Sequence, residues 1–209
     1  MCRLFMDPLD DPFAFVPGLV LYAAEVYAIV MFFVNNFVVI DPVTRMSPPL
    51  PENPAELPTV DVFVPSFNED DGLIETTLIG AKRMWYPADR LNVYLLDDGS
   101  TDVKRMSADP QEALKARERH ERLKAMCARL GVHYLTRETN AHAKAGNLNA
   151  ALPETHGDLI AVFDADHVPT RDFLLATVGF FRKDPKLFLV QTPHFFLSPD
   201  PLERNLKTF

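Results

Sequence analysis

At 209 residues, 47% of them hydrophobic, the chain has room for one domain of ordinary size and a little more. A net charge of −8 and a pI near 5.2 exclude an extended nucleic-acid surface, because phosphate backbones are bound by clustered Lys and Arg. The two cysteines, Cys2 and Cys127, lie far apart in sequence, form no metal-like pair and read as ordinary reduced thiols, consistent with a cytosolic domain.

After an N-terminal flank, 1–12, residues 13–40 form an apolar run longer than the ~20 residues that cross a bilayer. Asp7, Asp10 and Asp11 stand where a signal peptide would carry basic residues, so the run is expected to be a transmembrane helix. Glu25 near its middle would cost about 2.5–3.5 kcal/mol against lipid. Glu25, Asn35 and Asn36 are therefore expected to face other helices or water. Residues 41–58 carry Pro42, Pro48, Pro49, Pro51, Pro54 and Pro58, an extended, semi-rigid linker ahead of a globular domain at 59–198.

That domain alternates strand and helix patterns, the signature of an α/β fold with a mostly parallel sheet. Val60 to Val64 read as a strand running into Pro65-Ser66-Phe67-Asn68-Glu69, where Pro65, lacking an N–H, stops further pairing. Ile74, Leu78, Ala81 and Trp85 follow at helical spacing. A second strand ends in Leu95-Leu96-Asp97-Asp98-Gly99, with paired acids before a turning glycine. Residues 111–130 form a charged helix with Ala116, His120, Leu123, Cys127 and Leu130 along one stripe, ended by Gly131. Its histidine and charges read as a packed edge and a solvated face.

A short strand, Val132 to Leu135, leads to a loop holding Arg137, His142 and Lys144 before a short helix, where basic side chains and backbone N–H groups can meet phosphate oxygens. The next strand, Leu159 to Phe163, closes in Asp164-Ala165-Asp166. Residues two apart on a strand point the same way, so Asp164 and Asp166 are expected to grip one hard cation, Mg²⁺ or Mn²⁺, whose shell water and substrate phosphates complete. Either aspartate would also suit a helix N-cap, a role that Thr170, ahead of the helix beginning near Phe173, fills better. Two acid-tipped strands suggest one crevice at the carboxyl edge of the sheet, handling a diphosphate.

In this order and spacing, the strings from Val60 to Glu69, from Leu91 to Ser100, His142 to Leu152, Phe163 to Leu174 and Leu189 to Leu206 resemble the catalytic subunit of bacterial cellulose synthase and other processive family 2 glycosyltransferases. The resemblance covers nearly the whole chain and implies an incomplete GT-A type α/β fold behind a membrane helix. It implies that Ser66, Phe67 and Glu69 contact uridine, that Asp97 and Asp98 also hold the nucleotide, and that Lys144 belongs to the UDP pocket. Asp164 is placed against the donor, Asp164 and Asp166 on the metal, and His194, in Thr192-Pro193-His194, toward the acceptor. Phe67 departs from the tyrosine common in relatives; stacking survives that change, whereas a hydroxyl contact does not. Residues 199–209 resemble the start of a helix lying along the membrane surface.

The implied reaction is inverting transfer of glucose from UDP-glucose to a growing β-glucan. It would occur at the cytoplasmic face of a bacterial inner membrane, with further transmembrane helices and an accessory synthase subunit as partners. The family's general base sits in a Thr-Glu-Asp string and its acceptor contact in Gln-x-x-Arg-Trp, and neither string occurs in these residues. The general base is accordingly expected beyond Phe209, and the chain as given is expected to bind donor without polymerising it. The alternatives are a membrane-tethered nucleotide-binding or regulatory module without transferase activity, or a related synthase making another β-linked polysaccharide. A dinucleotide-dependent oxidoreductase is disfavoured, because the loop 65–69 contains no glycine.

Overall fold

The computed structural model describes residues 12–40 and 45–194, in two units that divide after Met46. In the first unit, helix α1 (Pro12–Val39) includes Pro17 and carries a 25-residue apolar stretch, Phe15–Val39, with mean hydropathy 1.9. At 1.5 Å per residue that stretch measures about 37 Å, enough for the ~30 Å hydrocarbon core with some tilt. The side-chain amide of Asn36 donates to the Phe32 carbonyl one turn back at 2.8 Å, so part of its polarity is satisfied within the helix.

The second unit is built on a four-stranded, wholly parallel sheet in the order β3-β2-β1-β4. Its strands are β1 (Val60–Ser66), β2 (Leu91–Asp97), β3 (His133–Thr136) and β4 (Leu159–Val162). Among the described residues it is accompanied by helices α2 (Asp71–Lys82), α3 (Asp102–Arg105), α4 (Pro110–Leu130), α5 (Ala143–Ala151) and α6 (Phe173–Lys183). Parallel sheets need cover on both faces, and β1 is buried along its whole length. Val60, Val62 and Val64 pack with Ile74 and Leu78 of α2, Leu123 and Cys127 of α4, and Leu174 and Val178 of α6. Phe63 and Leu96 point the other way, onto Ala151 and Leu148 of α5. Asp61, fully buried, accepts from Asn92 Nδ2 at 2.8 Å and from the Gly157 amide at 2.6 Å, which satisfies its carboxylate inside the sheet.

Local signals explain the helix ends. Asp70 caps α2 through the Gly72 amide and Asp109 caps α4 through the Gln111 amide, with Pro110 at the first turn. Gly131 ends α4 in the left-handed region at φ 65°, which a side chain would strain. The chain departs from expectation at three ends. Helix α2 stops at Lys82, leaving Trp85 outside it and half-exposed. The residue at the start of α6 is Asp172 rather than Thr170, and no side chain caps it; the Thr170 carbonyl instead accepts from the Phe173 amide. Strand β4 ends at Val162, so Asp164 and Asp166 lie in the turn beyond it.

Pro65 explains that last difference. The carbonyls of Thr59 and Phe63 accept from the Leu159 and Phe163 amides of the β4 segment, so alternate residues of β1 face β4, and Pro65 is next in that series. Having no N–H, it cannot donate to the next carbonyl of the β4 segment, and the ladder stops there. Pairing with β2 continues to Ser66↔Asp97. The second half of the proline-rich segment lies on this unit: Leu50 packs against the core, and the carbonyls of Glu56, Leu57 and Pro58 accept from Arg182, Arg90 and Tyr86. Residues 195–198 and the expected interfacial helix, 199–209, fall outside the described residues. Phe209, the residue beyond which the general base is expected, is among them, so the described residues carry no assignment of that base.

Candidate donor and metal site

The chain runs from β1 through β2 to β3 on one side of the sheet and then returns to place β4 on the other side of β1. The order therefore reverses between β1 and β4, where open α/β sheets bind ligands beyond the carboxyl ends of their strands. Ser66, Phe67, Glu69, Asp97, Asp98 and Asp164 end or follow β1, β2 and β4 at that edge, Lys144 pairs with Asp164, and the ring of His194 lies against that of His167. What differs from a cluster of four free carboxylates is how each acid is used.

Asp97, at the tip of β2, is fully buried and saturated. Its oxygens accept from the Gly99 amide at 3.0 Å, Arg119 Nε at 3.0 Å, the Tyr134 hydroxyl at 2.9 Å and the Ser100 hydroxyl. Four donors on one carboxylate make it a structural hub that positions its neighbours. Burial pushes the Tyr134 phenol well above its ordinary range, with the charge of Asp97 adding to the effect, so it stays a donor at any physiological pH. Burial, with Arg105 beside it, lowers the His120 imidazole, which keeps that ring neutral against Tyr134.

Asp98 faces Arg137, whose guanidinium meets it with two bonds, Nε to Oδ1 at 2.7 Å and one terminal nitrogen to Oδ2 at 2.6 Å. The pair is largely buried, 13% and 6% exposed. Arg137 also donates to the carbonyls of Ala141 and Ala143, so it ties the β2 tip to the entrance of α5. That entrance turns through positive φ at His142 and Ala143, and Lys144 emerges beyond it to pair with Asp164. The basic loop thus spans the distance from the first acidic pair to the second.

Beside β2, the loop 65–69 is held by its own glutamate. Burial opposes ionisation of Glu69, but hydrogen bonds from backbone amides including that of Phe67, from the Ser66 hydroxyl, and the charge of Arg119 outweigh it, leaving the carboxyl below its usual range. Arg119 completes the clamp, donating to Ser66 Oγ at 2.7 Å and to the Glu69 carbonyl at 3.1 Å. Gly99 is required here because a Cβ would lie 2.1 Å from the Phe67 carbonyl and 2.4 Å from Arg119 Nε. Phe67 is half-exposed, with Lys104 Nζ 3.9 Å from its ring centroid, a cation–π contact; Lys104 also donates to the Asp98 carbonyl.

Asp164 and Asp166 are open to solvent, 43% and 66% exposed, while Ala165 between them is buried and its carbonyl accepts from the buried Thr77 hydroxyl of α2 at 2.6 Å. The expected alternation of faces is therefore kept, though by a turn. The His167 amide closes that turn on the Asp164 carbonyl at 2.9 Å. Ligand atoms of Asp164, Asp166 and His167 lie within 4.8 Å of one another, a donor set that fits a divalent cation. The His194 ring lies against that of His167, tilted at 53° to it, with centroids 4.4 Å apart.

Arg119, Tyr134, Ser100, Lys104 and His167 were not singled out from the sequence. Arg119 had a legible signal: it lies three residues after Ala116 and four before Leu123, on the buried stripe of α4 and not on its solvated face.

The family model described as glycosyl transferase family 2 matches residues 61–208. The chain belongs to glycosyltransferase family 2. Its parallel sheet flanked by helices is the GT-A type arrangement of that family. The chain is similar to the UDP-forming cellulose synthase catalytic subunit of Xanthomonas axonopodis pv. citri, 44% identical over 93% of this chain and 24% of that protein. Similarity to the subunit of the same name from Pseudomonas fluorescens is 45% over 92% and 23%. To cellulose synthase 1 of Komagataeibacter xylinus it is 44%, over 90% and 11%. The chain thus spans a quarter or less of the length of these relatives. Among solved structures, a Pyrobaculum calidifontis mannosyltransferase in complex with GDP-Man and Mn²⁺ is similar at a TM-score of 0.48 and 28% identity, over 78% of this chain and 42% of that one.

Proposed function

We propose that this family 2 chain is the donor-binding part of a membrane-bound, UDP-glucose-dependent synthase that makes cellulose or a related β-linked glucan by inverting transfer. The observation that carries the reading is the open Asp164–Asp166 pair facing Lys144 at the carboxyl edge of a parallel sheet. Ser66, Phe67, Glu69 and Asp98 line the uridine side, with Phe67 supplying a ring face, and Asp97 fixes the loop that presents them. Lys144 can exchange a carboxylate partner for a phosphate oxygen, since both accept from an ammonium. Mg²⁺ or Mn²⁺ held by Asp164 and Asp166 would offset the negative charge that grows on the UDP leaving group. His194 lies toward the acceptor, the growing glucan.

Helix α1 tethers the domain to the bilayer, among other transmembrane helices and an accessory subunit, with the domain on the cytoplasmic side of the inner membrane, where sugar nucleotides are made. Calorimetry of UDP binding to the 209-residue chain in detergent tests the site. Binding is expected to require Mg²⁺ or Mn²⁺ and to weaken on the order of tenfold or more in Asp166→Ala, as is typical when metal-site partners are lost. Metal-independent binding unaffected by the substitution would refute it.

A further inference from the structure

We infer that Lys104 is a positioning residue for the nucleobase: its ammonium holds the Phe67 ring from one face and leaves the other face for uracil. The inference rests on the donor reading above and goes beyond it in assigning the group that fixes the stacking ring.

Phe67 needs such a group. Its backbone is already held, with the amide donating to Glu69 Oε2 at 2.6 Å and the carbonyl closed in by Gly99. The side chain is not held in the same way, because a phenyl ring has no hydroxyl with which to anchor itself. Lys104 Nζ lies 3.9 Å from the ring centroid and donates to the Asp98 carbonyl at 3.0 Å. One ammonium therefore ties the ring of the 65–69 loop to the tip of β2. With that face taken the ring is still 42% exposed, so its open surface is the opposite face and the edge.

Lys104 itself projects from a fixed support. The Asp102 and Val103 amides of α3 donate to the Arg137 and Glu138 carbonyls at 3.1 and 3.0 Å. Arg105 donates to the Ser100 carbonyl at 2.7 Å, and its own carbonyl accepts from Arg117 Nε at 2.9 Å. Burial draws the Lys104 ammonium below its ordinary pKa, against the charges of Asp97 and Asp98. A partly desolvated ammonium attracts a ring face more strongly than a hydrated one. A ring held in place before the base arrives loses less freedom on binding.

A double-mutant cycle between Lys104 and Phe67, read by calorimetry of UDP binding to the 209-residue chain in detergent with Mg²⁺ or Mn²⁺, tests this. Lys104→Met is expected to weaken UDP binding about three- to tenfold, the range of a cation–π contact. The same substitution in a Phe67→Leu background should change UDP affinity less than about twofold, and it should leave the binding of inorganic pyrophosphate unchanged. Lys104→Arg should recover most of the loss, because a guanidinium also packs on a ring face. Unchanged UDP affinity in Lys104→Met, an equal loss in the Phe67→Leu background, or an equal loss for pyrophosphate would overturn the assignment. Metal-dependent UDP binding by the wild type would leave the donor reading standing in each of those cases. Failure of the wild type to bind UDP at all would overturn both.

Discussion

Replacing Arg137 with methionine is expected to lower the melting temperature of the globular unit by about 6–20 °C. The carboxylate of Asp98 is 6% exposed and its charge is met by the two-pronged guanidinium. Removing one partner of such a pair strands a buried charge, at a cost of about 3–5 kcal/mol. For a domain of this size each kcal/mol corresponds to roughly 2–4 °C. Arg137 also satisfies the Ala141 and Ala143 carbonyls, so the turn into α5 loosens in the same variant and Lys144 loses its fixed approach to Asp164. Thermal unfolding followed through Trp85, the only tryptophan in the chain, measures the effect. Adding Asp98→Asn to Arg137→Met should restore part of the loss, because the stranded charge is then gone. A double variant as unstable as the single one would show that the carbonyl contacts, and not the ion pair, hold this corner.

Arg119→Ala is expected to act on binding as much as on stability. Arg119 joins Asp97, Ser66 and the Glu69 carbonyl, three groups on two segments, from a side chain only 12% exposed. Asp97 keeps three neutral donors in the variant, so the stability loss is smaller, about 1.5–3 kcal/mol for a charge-assisted bond. The loop 65–69, however, loses its only described anchor on α4, and UDP affinity should fall with metal affinity unchanged. Arg119→Lys keeps the charge but not the fork of donors and should restore stability better than affinity. Equal UDP affinity in Arg119→Ala and wild type would remove Arg119 from the account.

The alternation of apolar strands with helical stripes was enough to read a parallel α/β sheet, because each burial face is written locally, as in Val60, Val62 and Val64. The acid-tipped ends and the basic loop were legible for the same reason. Partnership was not. Nothing local distinguishes Asp97, which the fold buries under four donors, from Asp164, which it leaves open, since the deciding residues are 22 and 37 positions away in Arg119 and Tyr134. The end of β4 has the same origin. Pro65 marked a stop, but only the direction of its missing N–H shows that pairing ends toward β4 and continues toward β2. The proline-rich segment reads as a spacer by composition, yet its carbonyls are free to accept, and Tyr86, Arg90 and Arg182 use them to fasten its second half to the domain.

The most direct measurement is a crystal structure of the chain with UDP and Mn²⁺, with anomalous scattering recorded at the manganese edge. The account predicts one strong anomalous peak bonded to Asp164 and Asp166, with the UDP diphosphate between that ion and Lys144 and the uracil ring beside Phe67. A peak elsewhere, or a nucleotide seated away from the carboxyl edge of β1 and β4, would contradict it.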